Sequence, residues 1–257
     1  MKIAIIGAGN MGGSIARGLA KGSIVSAADI TVADPSNERL GELLKEFPAI
    51  QTTTVNQNAV TNADLILFAV KPWLMKQVVR ELKLKSKQIL VSIAAGIAFE
   101  ELAHYVAEPE MTMFRLVPNT AISELASMTL IASRNATPGQ EQLLVDIFNE
   151  MGLSMLVPEE KIAATTALTS CGIAYVLKYI QAAMQAGIEM GIYPKDAMKM
   201  VAQSVKGAAE LILNNDTHPS VEIDKVCTPG GITIKGINEL EHSGYTSAII
   251  HAMKASK

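Results

Sequence analysis

Two clusters of residues have the types and the spacing to do chemistry. The first is Gly7-Ala8-Gly9-Asn10-Met11-Gly12, entered from the apolar run Ile3-Ala4-Ile5-Ile6 and followed at once by a helical stretch, Ser14 to Ala20. Strand, glycine corner and helix in that order make a dinucleotide-binding turn. Gly7 permits the tight turn, Gly9 lets backbone approach a pyrophosphate with no Cβ in the way, and Gly12 lets the helix pack close to the strand. The helix then aims its unpaired N–H groups and positive dipole end at the phosphates. A merely structural corner would not need all three glycines. The second cluster is Thr228-Pro229-Gly230-Gly231-Ile232-Thr233. Two adjacent glycines after a proline, leading into a helix, expose consecutive N–H groups, an anion nest suited to a substrate carboxylate. Thr233 falls in the first helical turn with a hydroxyl that both donates and accepts. Thr228 can do the same or simply cap, and the plain alternative for the whole corner is a C-cap followed by an N-cap.

Smaller signals surround the first cluster. Asp34 ends the second predicted strand about 20 positions past the last glycine, where an acidic side chain accepts from adenosine ribose hydroxyls. It would repel a 2′-phosphate and favour NADH. Ser36, Asn37 and Arg39 follow directly and can bind that phosphate, favouring NADPH, so the cofactor is NADPH or NADH. Asn56 either caps the short helix after the third strand or reaches the adenine ribose. Ala69-Val70-Lys71-Pro72 leaves the fourth strand at its carboxyl end, where Lys71 is solvated or contacts a phosphate more readily than it acts as a general acid. Ala94-Ala95-Gly96 ends the fifth strand in small residues that leave a slot for a flat nicotinamide. Asn119, after the sixth strand, is expected to touch the ligand, with capping of the turn at Thr120 as the alternative. No metal site is expected.

The elements that position these residues are legible in the patterning. Strands are expected at 2–6, 30–34, 50–54, 64–70, 88–93, 111–117, 128–132 and 153–157, with helices at 37–47, 73–82, 99–106 and 139–151. Ser36 is a plausible N-cap and Pro48 a stop. Repeated strand–helix units predict an α/β fold, a doubly wound parallel sheet with ligands at the carboxyl ends of its strands. After Pro158 the pattern is helical alone. Thr165 to Met190 reads as one helix about 39 Å long, apolar nearly all round, which must be covered on every side by its own domain or a partner's. Pro194 starts a second helix, running to about Leu213. The boundary falls near residue 160, giving a dinucleotide-binding domain over 1–160 and an all-α domain over 161–257.

Composition narrows the function classes. The 257 residues are 49% hydrophobic and 18% charged, a globular balance, and the low charge with 13 methionines suits a surface partly covered by another subunit. A formal net charge of −3 offers no electrostatic basis for binding nucleic acid or an anionic membrane. The most apolar stretch, 162–192, is interrupted by Lys178, Gln181, Gln185 and Glu189 and is no membrane span. The chain opens on a core strand, so a cytoplasmic protein with no cleavable leader is expected, and with it reduced thiols at Cys171 and Cys227.

The chain closely resembles the pyrroline-5-carboxylate reductases, nearly end to end. The resemblance is carried by Gly7-Ala8-Gly9-Asn10-Met11-Gly12, Ala69-Val70-Lys71-Pro72, Ala94-Ala95-Gly96, Pro118-Asn119-Thr120, Ala186-Gly187 with Gly191, and above all Thr228-Pro229-Gly230-Gly231-x-Thr233. It implies an N-terminal Rossmann-type domain and an all-α C-terminal domain that intertwines with its twin in a homodimer, often in larger rings. The substrate would lie between the nicotinamide and the partner-completed helical domain. Gly230 and Gly231 would offer N–H groups to the substrate carboxylate, and Thr233 would hydrogen-bond the ring nitrogen. The implied reaction is NAD(P)H-dependent hydride transfer to the C=N carbon of 1-pyrroline-5-carboxylate, giving L-proline. The imine reacts best as its iminium, and no histidine or carboxylate is evidently placed to protonate it, so water or Thr233 must help. Asp216 stands in a loop where the family often has an acidic residue.

The chain also departs from the family pattern. Thr169-Ser170-Cys171-Gly172-Ile173-Ala174-Tyr175 replaces Ser-Gly-Ser-Gly-Pro-Ala-Tyr, Thr228 a serine, Ala121 a proline, Ser127 a glycine and Glu222 an aliphatic residue. The rival readings are reduction of another cyclic imino acid, a β-hydroxy-acid dehydrogenase, and a non-catalytic cofactor sensor. The second needs an asparagine one turn after a lysine on the long helix, where Lys178 has Ala182; the third would have no use for the Thr228–Thr233 corner.

Overall fold

The computed structural model describes residues 1–106, 108 and 110–257. Two compact units are distinguished, Met1–Ser170 and Cys171–Lys257. The first is built on one sheet of strands β1 (Ile3–Ile6), β2 (Ile30–Ala33), β3 (Gln51–Thr53), β4 (Leu65–Phe68), β5 (Ile89–Ser92), β6 (Met113–Val117), β7 (Ser127–Arg134) and β8 (Gly152–Leu156). Their spatial order is β3-β2-β1-β4-β5-β6-β7-β8. The order reverses direction at β1 and β4, which makes the crevice beside them the place where such sheets bind ligands.

The helices of this unit are α1 (Asn10–Lys21), α2 (Asn37–Glu46), α3 (Asn56–Val60), α4 (Pro72–Arg80), α5 (Phe99–Tyr105), α6 (Pro138–Asn149) and α7 (Ile162–Thr166). Strand side chains alternate between the two faces. Ile3, Ile5, Leu65 and Leu67 pack with Ile15 and Leu19 of α1, Leu40 and Leu43 of α2, and Leu144 and Phe148 of α6. Ala4, Ile6, Ile66 and Phe68 pack with Val60 of α3, Met75 and Val79 of α4, Phe99 and Leu102 of α5, and Ile162 of α7. Burial on both faces explains the unbroken apolar runs of the central strands. Caps set the boundaries: Ser36 Oγ accepts from Arg39 N–H, and Thr137 and Gln140 close a capping box at α6.

The sheet is mostly, not wholly, parallel. β6 and β7 are antiparallel, with Val117 opposite Leu130, and β8 then runs parallel to β7. A parallel neighbour needs a long crossover, usually a helix. Between β6 and β7 the chain has only a 3₁₀ turn, Thr120–Glu124, ending at Leu125 in the left-handed region (φ 55°). The chain therefore folds back, and the expectation of a fully parallel sheet is corrected at this one junction.

The second unit is helical: α8 (Gly172–Glu189), α9 (Pro194–Asn215), α10 (Pro219–Val226), α11 (Ile232–His242) and α12 (Tyr245–Ala255). The expected single helix over 165–190 is instead α7, a π-helical turn at Ala167–Cys171, and α8. Gly187 lets α8 meet α9, since a Cβ there would stand 3.2 Å from that of Ala197. Tyr175 on α8 donates from Oη to the Ala252 carbonyl of α12 at 3.3 Å. Leu177, Met190, Met200, Leu213, Val226 and Ile232 are nonetheless exposed on the single chain. Among the described residues no helix is long and apolar enough to cross a membrane, and Cys171 and Cys227 are free thiols.

Candidate active site

The glycine turn is built as its three glycines require. Gly7 takes φ 107°, a conformation that L side chains rarely adopt, and a Cβ on it would meet the Ala69 carbonyl oxygen at 2.7 Å. Gly12 approaches the turn so closely that its Cβ would lie 2.0 Å from the Gly7 oxygen and 2.8 Å from the Ala69 Cβ. A Cβ on Gly9 would meet nothing within 4 Å. Gly9 is also the N-cap of α1, so the N–H groups of Asn10, Met11 and Gly12 form the unpaired first turn behind that open space. Backbone anchors hold the turn to the sheet: Gly7 N–H donates to Ala33 O at 2.7 Å and Ala69 N–H to Ile6 O at 2.8 Å. A pyrophosphate-bearing cofactor fits such a turn, because the position that must stay clear is clear and the donors face it.

Next to the turn lies a groove of about 180 Å³ lined by Ala8, Gly9, Asn10, Gly13, Arg17, Arg39, Glu42 and Leu43. Arg17 is held by both carboxylate oxygens of Glu46 at 2.8–3.0 Å. That hydrogen bond raises the Arg17 pKa above its ordinary value against the opposing effect of burial. Arg39 is exposed, with its guanidinium 3.6 Å from Asp34. Asp34 itself is buried and faces the glycine turn instead of the groove, accepting the N–H groups of Ala8 and Ser36. Val55 holds the N-cap position of α3 and Asn56 is the first helical residue, so the capping alternative for Asn56 does not apply. Lys71 occupies the N-cap of α4, exposed, with Pro72 in the first turn and Ala69 and Val70 beside the glycine turn.

A second hollow, about 70 Å³, lies at the carboxyl ends of β5 and β6, lined by Ser92, Ala94, Ala95, Gly96, Arg115, Leu116, Val117, Ile162 and Thr166. The small residues Ala94, Ala95 and Gly96 line it as the sequence suggests, and Gly96 turns at φ 79°. Arg115, Ile162 and Thr166 were not foreseen there. Arg115 carried a signal, a cation at mid-strand in an apolar run; α7 carried none, because its approach is tertiary. A wider cavity, about 360 Å³, opens among Lys2, Asp29, Gln51 and Asn62 at the amino ends of β1 and β2, the end of such a sheet at which ligands are not expected.

Asn119 is buried and committed to the protein. Oδ1 accepts the Ala121 N–H at 3.0 Å, and Nδ2 donates to the Thr169 carbonyl at 3.1 Å. The capping alternative is seen here, and Asn119 is not among the residues that line the slot. A proline at 121 would have no N–H to donate to Oδ1, so the Ala121 departure supplies one of the two bonds that hold the asparagine. Other departures are similarly absorbed. Ser127 Oγ accepts the Asn119 N–H at 3.2 Å, Ser170 Oγ donates to the Pro118 carbonyl at 3.4 Å, and Glu222 accepts from Thr217 and Lys225. Lys225 and Thr217 together hold the Glu222 carboxyl below its ordinary range. Asp216 ends α9 in the left-handed region at φ 49°, while His218 caps α10 through Nδ1.

The late corner is a β-turn. Gly231 N–H donates to Thr228 O at 2.9 Å, with Pro229 second and Gly230 third at φ 72°, the arrangement that demands glycine at the third place. Gly231 is then the N-cap of α11. A Cβ on Gly231 would sit 2.6 Å from Thr228 Oγ1, so the second glycine lets Thr228 fold over the turn. Of the two glycines expected to present N–H groups to a ligand, Gly231 uses its own to close the turn. The donors left are Gly230's and those of the first turn of α11, Ile232 to Ile234, among which Thr233 adds its hydroxyl.

Comparison with known proteins follows this division. Residues 159–257 match the family model for pyrroline-5-carboxylate reductase dimerisation, and residues 2–96 match that for coenzyme F420-dependent NADP oxidoreductases. The chain is 35% identical to pyrroline-5-carboxylate reductase 2 of Dictyostelium discoideum over 99% of its own length and 90% of the relative's. It is 34% identical to reductase 1 of that organism, spanning 48% of that longer protein. Among solved structures, the pyrroline-5-carboxylate reductase of Coxiella burnetii superposes with a TM-score of 0.91 at 27% identity, covering 99% of this chain and 95% of that one. The Plasmodium falciparum pyrroline carboxylate reductase with NADP bound superposes at 0.87 and 26% identity, covering 100% and 95%. With a glycine turn shaped for a dinucleotide in one unit, a type II corner opening a helix in the other and relatives matched along the full length, the chain belongs to the pyrroline-5-carboxylate reductase family.

Proposed function

We propose that this chain reduces 1-pyrroline-5-carboxylate to L-proline, the last step of proline biosynthesis. The observation that carries the reading is the Thr228–Gly231 turn, which leaves the Gly230 amide and the first turn of α11 free for an anion. The cofactor, a nicotinamide dinucleotide, supplies a hydride to the carbon of the C=N bond when bound. Around the glycine turn, the amides of Asn10, Met11 and Gly12 hold its pyrophosphate. Arg39, Ser36 and Asn56 attend its adenosine end, Lys71 contacts a phosphate in this reading, and the slot of Ala94, Ala95 and Gly96 receives the flat ring. In the helical unit, Gly230 N–H and the α11 amides hold the substrate carboxylate, which fixes the adjoining ring. The Thr233 hydroxyl donates to or accepts from the ring nitrogen, and it relays a solvent proton to that nitrogen because no titratable side chain lies within the corner.

The family match to a dimerisation model and the exposed apolar side chains of α8, α9 and α11 support a homodimer, with rings of dimers as the larger form and the cytoplasm as its compartment. The β-hydroxy-acid alternative finds no support, since Lys178 donates to Gln181 and is followed one turn later by Ala182. The test is to follow nicotinamide oxidation with pyrroline-5-carboxylate and, separately, with a β-keto acid. Turnover of the imine alone is expected; turnover of the keto acid alone sinks the proposal.

A further inference from the structure

Asp34 stands where a dinucleotide's ribose is ordinarily read, yet it is only 3% exposed. Its two oxygens are divided between two backbone amides. Oδ2 accepts the Ala8 N–H at 2.7 Å, and Oδ1 accepts the Ser36 N–H at 2.8 Å. Ala8 lies inside the glycine turn and Ser36 is the N-cap of α2, so one carboxylate fastens two segments that are far apart in the chain. The Ala8 amide lies outside any helix or strand ladder, and a donor left unpaired in a part-buried position is costly. The backbone of Asp34 is itself pinned, its N–H donating to Thr53 O at 3.2 Å.

Three charged residues line the groove, Arg17, Arg39 and Glu42, and Arg39 is the cation beside Asp34. Its Nη1 lies 3.6 Å from Asp34 Oδ2, and the guanidinium offsets the carboxylate behind it. Arg17, the other arginine of that groove, is held by Glu46. A 2′-phosphate arriving there meets the Arg39 guanidinium in front, the Asp34 carboxylate already satisfied by two amides behind it, and Glu42 at the groove wall, which makes Arg39 the group that must offset the carboxylates.

We propose that Asp34 is a positioning residue for the glycine turn, not the ribose selector, and that preference for NADPH over NADH is set by Arg39. The proposal rests on the reading of this turn as a dinucleotide site. It is tested by isothermal titration of wild type, Asp34→Asn and Arg39→Gln with ADP-ribose and 2′-phospho-ADP-ribose, fragments that lack the nicotinamide and so report binding without turnover. An asparagine offers one acceptor where two amides need one each. Asp34→Asn should weaken both fragments by about tenfold and leave their ratio within about threefold of wild type, while Arg39→Gln should weaken the phosphorylated fragment alone by about tenfold. Asp34→Ser, which keeps one acceptor, takes the same measurement if the asparagine variant does not fold. The assignment is overturned if either Asp34 variant tightens the phosphorylated fragment or weakens ADP-ribose alone, which marks a ribose selector. It is also overturned if only the melting temperature falls, which marks a purely structural carboxylate. Wild type that binds neither fragment would overturn the dinucleotide reading itself, and this assignment with it.

Discussion

Arg115 donates from Nη1 to Glu159 Oε1 at 2.5 Å, and the same oxygen accepts the Phe99 N–H at 2.8 Å. One carboxylate thereby joins β6, the start of α5 and the 3₁₀ turn before α7, and Arg115 also lies over the Phe99 ring at 5.9 Å. Because Arg115 lines the slot with Ala94, Ala95 and Gly96, this junction sets the slot's wall. Glu159→Ala should cost about 2–3 kcal/mol in urea unfolding, leaving a part-buried guanidinium and an amide without an acceptor. Glu159→Gln, which keeps the acceptor for Phe99, should cost less than half of that. Equal losses would show that the charge alone matters.

The glycine turn separates packing from cofactor approach. Gly12→Ala forces a methyl group against the Gly7 carbonyl and the Ala69 side chain and should destabilise the fold by about 2–3 kcal/mol. Gly9→Ala meets nothing within 4 Å, so its melting temperature should stay close to wild type while dinucleotide affinity falls. Thermal unfolding and cofactor titration on the two variants check the pair. A Gly9→Ala protein that binds the cofactor normally would remove the pyrophosphate from this space.

Thr233→Ala removes a hydroxyl from the first turn of α11 while leaving its amide. Transition-state binding should weaken by roughly 1–3 kcal/mol, the range for one hydrogen bond left unpaired. The readout is kcat/KM for the imine, with Thr233→Ser expected to recover most of it. Unchanged turnover and unchanged substrate affinity would remove Thr233 from the mechanism.

A pH dependence follows from Glu150. Burial pushes its carboxyl up, but the Ser23 N–H and hydroxyl and the Ile24 N–H outweigh that and hold it below the ordinary glutamate range. A carboxyl with a depressed pKa contributes stability above its unfolded pKa and loses it as pH falls through the folded one. Glu150→Gln should therefore be less stable than wild type at neutral pH, with the gap closing below about pH 4. Urea unfolding of both proteins across that range is the measurement; a gap that persists undiminished into acid would assign the effect to packing.

Local chemistry made most of the fold legible. Apart from α7, the strand and helix boundaries of the first unit agree with the patterning to within a few residues, because the apolar runs of the strands, the cap at Ser36 and the stop at Pro48 act over a few neighbouring positions. The glycines at 7 and 12 and the Pro-Gly-Gly at 229–231 state their own backbone requirements, in a positive dihedral angle at Gly7 and Gly230 and a close approach at Gly12 and Gly231. The amino acids alone thus determined the glycine turn, the two kinds of domain and the late Pro-Gly-Gly turn. What they could not carry is where shared polar atoms go. Asp34 accepts from Ala8 and Ser36, Asn119 accepts from Ala121 and donates to Thr169, and the Gly231 N–H closes the turn on Thr228, and none of these partners is visible in the sequence. The reversal at β6 and β7 and the Arg115–Glu159 junction were likewise settled only by tertiary structure. Hydrogen-bond partners and strand direction depend on atoms brought together from distant positions, and each polar atom has few bonds to share.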